Sequence, residues 1–359
     1  MKNKISLYLY TLKIKFIIIT LFFLSLFIQI INLIEVARIS ESKNFDIIQV
    51  IYLSILKLPS SSQQITPFVI IISTAFFYRY LISNNEFISI RNVGYSIIDI
   101  FKPVGLAIIT VGLFFLIFIN PLSSFSEKLF EAKTSKESSS FYSIKIKNNE
   151  IWIKNKQDKK INFIQFSNFD LKNLNAEKIK IIEIENGKKR FYIANKGALK
   201  DNILSLKELT YFDIVDESSQ KISNYNLNVN FRQNDIINSI SNYKHIPFYK
   251  YNSHIKSLQK FNLYSETVSF HYISEIFKPI FLLILSFIVM GFASKFKRNE
   301  SFFKILFISI SFGFIFFIFN EVLSGITIAK IIPFWFSYTI LIIFSLIIGL
   351  YQSINIEIK

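Results

Sequence analysis

Apolar residues in this chain fall into long uncharged blocks, and one large polar stretch separates an early group of blocks from a late one. An α-helix needs about 20 consecutive apolar residues to cross the hydrocarbon core of a bilayer, so blocking of this kind predicts membrane spans. Six runs qualify: 16–34, about 59–78, 104 to about 121, about 279–294, 305 to about 321, and 331 to about 354. The third, fourth and fifth stand at the short limit and borrow a turn from their flanks. A seventh stretch, 45–56, is too short to span, and it either continues the second helix or lies at the interface. Lys2, Lys4, Lys13 and Lys15 precede the first run, which is long for a secretory signal and lacks a small-x-small cleavage site. It predicts an uncleaved first span.

Basic residues set the orientation. With the N-terminus in the cytoplasm, the short inside segments hold twelve of them, including Lys13, Arg79, Arg91, Lys102 and Arg298. The outside loops hold four: Arg38, Lys43, Lys57 and Lys330. The positive-inside bias therefore places both termini inside and the large polar domain outside. The expected fold class is membrane α-helical, six spans arranged three plus three, with an inserted all-β domain. The expected divisions are 1–121, 122–265 and 266–359.

The inserted domain reads as short strands. Residues 141–147 and 150–154 alternate apolar with polar side chains. Residues 178–194 form the clearest unit, with a phase slip at Ile182 expected to mark a bulge and Asn186-Gly187 expected to form a two-residue hairpin turn. Residues 204–215 and 225–231 add strands, and 246–262 predicts a helix returning towards the membrane. Many short strands with intervening turns predict a sandwich or jelly roll.

Several function classes fall away. The net charge of +16 would suggest nucleic acid on a soluble domain, but here the basic residues gather beside the apolar runs, where topology requires them. The chain has no cysteine, which excludes thiolate metal sites and cysteine nucleophiles. His245, His254 and His271 lack metal-motif spacing. No phosphate-binding glycine loop, nucleophile elbow or zinc-protease motif is present, so the chain is expected to be no enzyme.

The loop between the second and third runs carries the most information. Asn84 or Asn85 suits a helix cap, Glu86 falls in the first turn, Phe87, Ile90 and Val93 share a face, and Gly94 ends the helix. Such a helix either docks into a groove on a soluble partner or lies on lipid.

Read as Asn85-Glu86-Phe87-Ile88-Ser89-Ile90-Arg91-Asn92-Val93-Gly94-Tyr95-Ser96, this loop resembles the coupling segment of the lipopolysaccharide-export permeases, the LptF/LptG family. Ile276-Phe277-Lys278-Pro279 resembles the start of that family's fourth span, and Ser311-Phe312-Gly313-Phe314 followed by Asn320-Glu321 resembles its fifth. Ile332-Pro333 resembles the start of its sixth, and Glu150-Ile151-Trp152-Ile153-Lys154 resembles a strand of the LptG branch. The resemblance covers nearly the whole chain and is strongest to LptG.

It implies a permease subunit of an ATP-driven exporter in the bacterial inner membrane. Such a subunit takes lipopolysaccharide from the outer leaflet and passes it to a periplasmic bridge. Implied partners are a dimeric cytosolic ABC ATPase, a paralogous LptF-like permease, the bridge protein and a small single-span subunit. ATP and Mg would belong to the ATPase and no cofactor to this chain. Glu86, Phe87, Ile90, Arg91 and Gly94 would carry coupling. Asn32, Glu35, Arg38, Phe314, Phe317 and Glu321 would contact lipid. The chain departs from the family at Asn32, where LptG-like members often place a basic residue late in the first span; Arg38 is the substitute one or two turns further out. The alternatives are a related permease for another lipid or a lipoprotein, and a membrane-anchored binding protein without transport.

Overall fold

A computed structural model describes residues 2–41, 45–134, 150–157, 160–167, 175–185, 188–200, 202–213, 218–229, 231, 235, 242–260, 266–294, 301–329 and 331–357. The chain divides into two units, one comprising Met1–Thr134 with Ser269–Lys359 and the other Ser135–Val268. The expected division at 121/122 moves to 134/135, because the third helix does not stop where its apolar run stops.

The first unit is helical. Helix α1 runs Lys2–Glu41 and α2 runs Ile47–Ser83, so the stretch 45–56 continues the second helix. Pro59 and Pro67 lie inside α2; neighbouring helices and hydroxyl side chains tolerate such prolines in membrane helices. A short α3, Glu86–Asn92, precedes α4, Ile97–Phe114. A π-helical turn, Phe115–Ile119, joins α4 to α5, Asn120–Thr134. Pro121, which lacks an N–H, follows that wide turn directly. Later in the chain come α7, Glu266–Ala293, α8, Phe302–Ile328, and α9, Phe334–Glu357.

Among the described residues, five helical stretches are long and apolar enough to cross a membrane: α1, α2, α4 through α5, α7 and α8. The sixth expected span coincides with α9, where the qualifying apolar stretch is only Ile342–Tyr351. Helix α1 exposes Ile18, Phe22, Phe23, Phe27 and Ile31; a continuous apolar face of this kind suits lipid and not water. Helix α7 contrasts with it, burying Leu282 and Ser286 through Met290 with little interruption. Close approach to α7 depends on small residues. A Cβ on Gly112 of α4 would sit 2.8 Å from the backbone of Pro279, so a larger residue would push the helices apart.

The second unit contains strands β1 Glu150–Gln157, β2 Lys160–Ser167, β3 Asn175–Glu185, β4 Lys188–Lys200, β5 Ile203–Asp213 and β6 Ser218–Asn228. They form one six-stranded antiparallel sheet in sequence order, β1-β2-β3-β4-β5-β6. Among the described residues this order is a meander, in which each strand pairs with its sequence neighbours. Ile164, Phe166, Ile179, Ile181, Leu204 and Leu206 bury one face.

The bulge lies at Lys178, not Ile182. Lys178 has φ 52° and drops out of register between Glu177 and Ile179, whereas Ile182 pairs regularly with Phe163 and Phe191. The doubled isoleucine instead puts a half-buried apolar residue on the opposite face. The register Glu185↔Lys188 leaves two residues for the β3–β4 connection; Asn186 and Gly187 themselves lie outside the described residues, as does 141–147. The return predicted over 246–262 is two 3₁₀ turns, Tyr243–His245 and Phe248–Lys250, then α6, Tyr251–Lys260. Pro247, without an N–H, separates the turns.

Candidate functional site

Helix α3 is bounded by two left-handed residues. Asn85 caps it at φ 60°, ψ 7°, a region that asparagine tolerates better than most residues. Gly94 follows at φ 92°, its N–H donating to the Arg91 carbonyl at 2.8 Å. Ser96 and Asp99 then form a capping box for α4, satisfying two backbone N–H groups. A seven-residue helix is not stable alone in water, so packing must hold it. Phe87 and Ile90 supply that packing, buried among Leu9, Leu81, Ile97 and Ile100. The Phe87 ring meets Tyr78 edge-on at 6.2 Å.

Phe87 and Ile90 are therefore covered from within the chain. The chain's own bundle uses them, and only Val93 of the predicted face stays outside, with Ile88, Arg91 and Asn92. Glu86 is half-buried, and its Oε2 accepts a hydrogen bond from Tyr8 Oη at 2.8 Å. The first helix therefore holds the residue the loop pattern singled out.

A cavity of about 450 Å³ opens among α2, α7 and α8. Its apolar wall is Ile65, Pro67, Phe68, Phe281 and Phe317; its polar lining is Gln64, Ser274, Glu275, Lys278, Asn320 and Glu321. Lys278 Nζ pairs with Glu275 Oε1 at 3.1 Å, and Gln63 Nε2 donates to Glu275 Oε2 at 2.7 Å. The Phe317 ring lies 5.3 Å from that of Phe68. A site with both an aliphatic-aromatic wall and paired charges suits an amphiphile.

Of the six residues suggested for lipid contact, the cavity gathers Phe317 and Glu321. Phe314 is exposed and outside its lining. Asn32 is buried between α1 and α2, its Oδ1 accepting from Ser61 Oγ at 3.2 Å. Glu35 pairs with Lys57 at 2.5 Å, and the Lys57 ammonium lies 5.3 Å above the Phe130 ring. Arg38 is exposed one turn further on. Asn32 and Glu35 thus serve helix packing first.

Sequence reasoning missed Glu275 and Lys278 as site residues. Their signal was present: opposite charges at i, i+3 at the head of an apolar run. It also missed Lys13. Counted among the cytoplasmic flanking lysines, Lys13 is fully buried, its Nζ donating to Ser73 Oγ at 3.0 Å and Thr74 Oγ1 at 2.7 Å. Among the described residues, no three His, Asp or Glu gather as a metal site.

Long apolar helices around an amphipathic cavity, with a capped helix packed beside the bundle and an inserted antiparallel sheet, describe a multi-pass membrane protein. The chain belongs to the lipopolysaccharide export system permease LptF/LptG family, whose sequence profile matches residues 7–355. No curated protein matches the chain significantly. Membership makes it a transporter subunit for lipopolysaccharide export, resident in the inner membrane as a multi-pass protein.

Proposed function

We propose that this chain is the LptG-like half of an ATP-driven exporter, paired with an LptF-like paralogue and completed by a dimeric ABC ATPase that holds ATP and Mg. Both termini and α3 lie in the cytoplasm; six helices span the bilayer; the sheet belongs to a jelly-roll-like periplasmic domain. That domain receives lipopolysaccharide and passes it to a bridge protein, with a small single-span subunit nearby. Phe87 and Ile90 anchor α3, Gly94 turns the chain out of it, and Glu86, Ile88, Arg91 and Val93 meet the ATPase. Glu275, Lys278, Phe317 and Glu321 border the space that lipid enters.

The observation carrying this reading is the placement of the two features on one helix. Helix α2 lines the cavity at Phe68 and ends at Ser83, just before α3. Fifteen residues of helix put them about 22 Å apart along its axis. A push at α3 thus reaches the cavity through continuous helix.

A mild-detergent pull-down of the whole chain tests the coupling role. Glu86→Arg is expected to reduce recovery of the ATPase about tenfold or more, because a like charge at an interface is strongly unfavourable. Undiminished recovery together with undiminished export would overturn the role of α3. Photocrosslinking of lipopolysaccharide from Phe68 and Phe317 tests the cavity, and crosslinks to a different lipid alone would favour a permease for that lipid.

A further inference from the structure

Helix α1 buries a stripe at four-residue spacing, Leu9, Lys13 and Ile17. Its middle member is a lysine with no exposed surface. Among the described residues no carboxylate pairs with it; its partners are the hydroxyls of Ser73 and Thr74 on α2. Those hydroxyls donate their own protons to the Ile70 carbonyl, at 3.1 and 2.6 Å, which leaves their lone pairs facing the amine. Thr74 Oγ1 also lies 3.1 Å from Ser286 Oγ on α7. Lys13 thereby links three helices through one hydroxyl cluster.

Packing does not require a lysine here. An intramembrane amine is costly, and Ser73 and Thr74 stay satisfied without it. A methionine would fill the same stripe. The ends of the cluster explain its position better. Helix α1 carries Tyr8, bonded to Glu86, and Leu9, packed in the same cluster as Phe87 and Ile90. Helix α7 carries Ser286 and, eight residues earlier, Lys278 at the cavity, about 12 Å along the axis.

We propose that Lys13, with Ser73, Thr74 and Ser286, is the positioning tie that carries displacement of α3 to the α7 wall of the cavity. This rests on the coupling role given to α3 above. When the ATPase moves α3, Tyr8 and Leu9 move α1; Lys13 transmits that movement to Thr74 and Ser286; and α7 shifts Glu275 and Lys278 relative to α8. Lys13 is not a lipid contact, and its effect is on timing and stroke.

The complete transporter reconstituted in lipopolysaccharide-containing proteoliposomes provides the test, with a photoreactive residue replacing Phe68. ATP is expected to change the crosslinking of lipopolysaccharide at that position. In Lys13→Met and in Ser286→Ala, ATPase binding and basal ATP hydrolysis stay within about twofold while the ATP-dependent crosslinking change falls about fivefold or more. A purely structural role predicts the opposite, lost assembly with unchanged stroke in whatever assembles. An intact ATP-dependent change in either variant overturns the proposal. If Lys13→Met fails to assemble, Ser286→Ala, which removes one hydroxyl, decides alone. Failure of the coupling reading itself is separable, because it appears as undiminished ATPase recovery with Glu86→Arg.

Discussion

Glu183 in the sheet unit and Lys13 in the helical unit are both buried, and the two are treated differently. In the sheet, Glu183 of β3 faces its cross-strand partner Arg190 of β4, whose Nη1 lies 3.2 Å from Oε1. Tyr192 Oη donates to the same oxygen at 3.2 Å. In the helical unit, Lys13 has hydroxyls and no opposite charge among the described residues. The compensated carboxylate is a structural device, and removing its counter-ion leaves a buried charge alone. The amine without a counter-ion is expected to add little to stability, in keeping with the positioning role proposed for it above.

Three substitutions sharpen this contrast, and a fourth bears on α3. Phe87→Ala has the largest expected effect, a loss of about 3 kcal/mol from the cavity left under α3, read by denaturant or thermal unfolding of the purified chain. Unchanged stability would show that α3 is not held by that ring. Arg190→Ala follows, costing about 2–3 kcal/mol in the sheet unit, because Glu183 stays buried while its cation is gone. Loss confined to thermal resistance of the sheet, with the helices intact by circular dichroism, is the expected pattern.

Tyr192→Phe removes a neutral donor and costs about 1 kcal/mol at neutral pH. Burial first, and then the charge of Glu183, push the Tyr192 hydroxyl above its ordinary value. A raised folded-state pKa keeps its stabilisation below the unfolded value, about 10 for tyrosine, and loses it as pH climbs beyond that. The stability gap between the natural chain and Tyr192→Phe should therefore narrow above about pH 10. Parallel curves there would remove Tyr192 from the account. The smallest expected effect is Lys13→Met, less than about 1 kcal/mol in either direction, since replacing a buried ionic group by a packed apolar one is often neutral or better. A loss comparable to that of Arg190→Ala would erase the contrast between the units.

Much of the helical unit was legible in the chain. Runs of apolar residues mark α1, α2, α4, α7 and α8, because membrane insertion sums over local composition. Gly94 was legible as a helix stop, and the structure gives it the positive φ that stop requires. Asn186-Gly187 was legible through spacing, and the β3–β4 register allows a two-residue connection. The inward turn of Phe87 and Ile90 was not legible, because an amphipathic pattern states that one face is apolar without saying what covers it. The cavity was only half legible. Lys278 stood in a recognised motif, yet its partner Glu275 meets Gln63 across a separation of 212 residues.

What the sequence determined alone is the solvent for each segment. Uncharged runs select lipid and alternating strands select a sheet with one buried face, each by local sums of transfer energy. The tertiary structure alone decided what a given polar residue does. Lys13 reads as one more flanking cation until α2 and α7 place hydroxyls around it. Glu86 reads as a first-turn acid until Tyr8 reaches it. Local composition fixes neither, because a hydrogen bond between helices depends on how residues far apart in sequence are rotated towards one another.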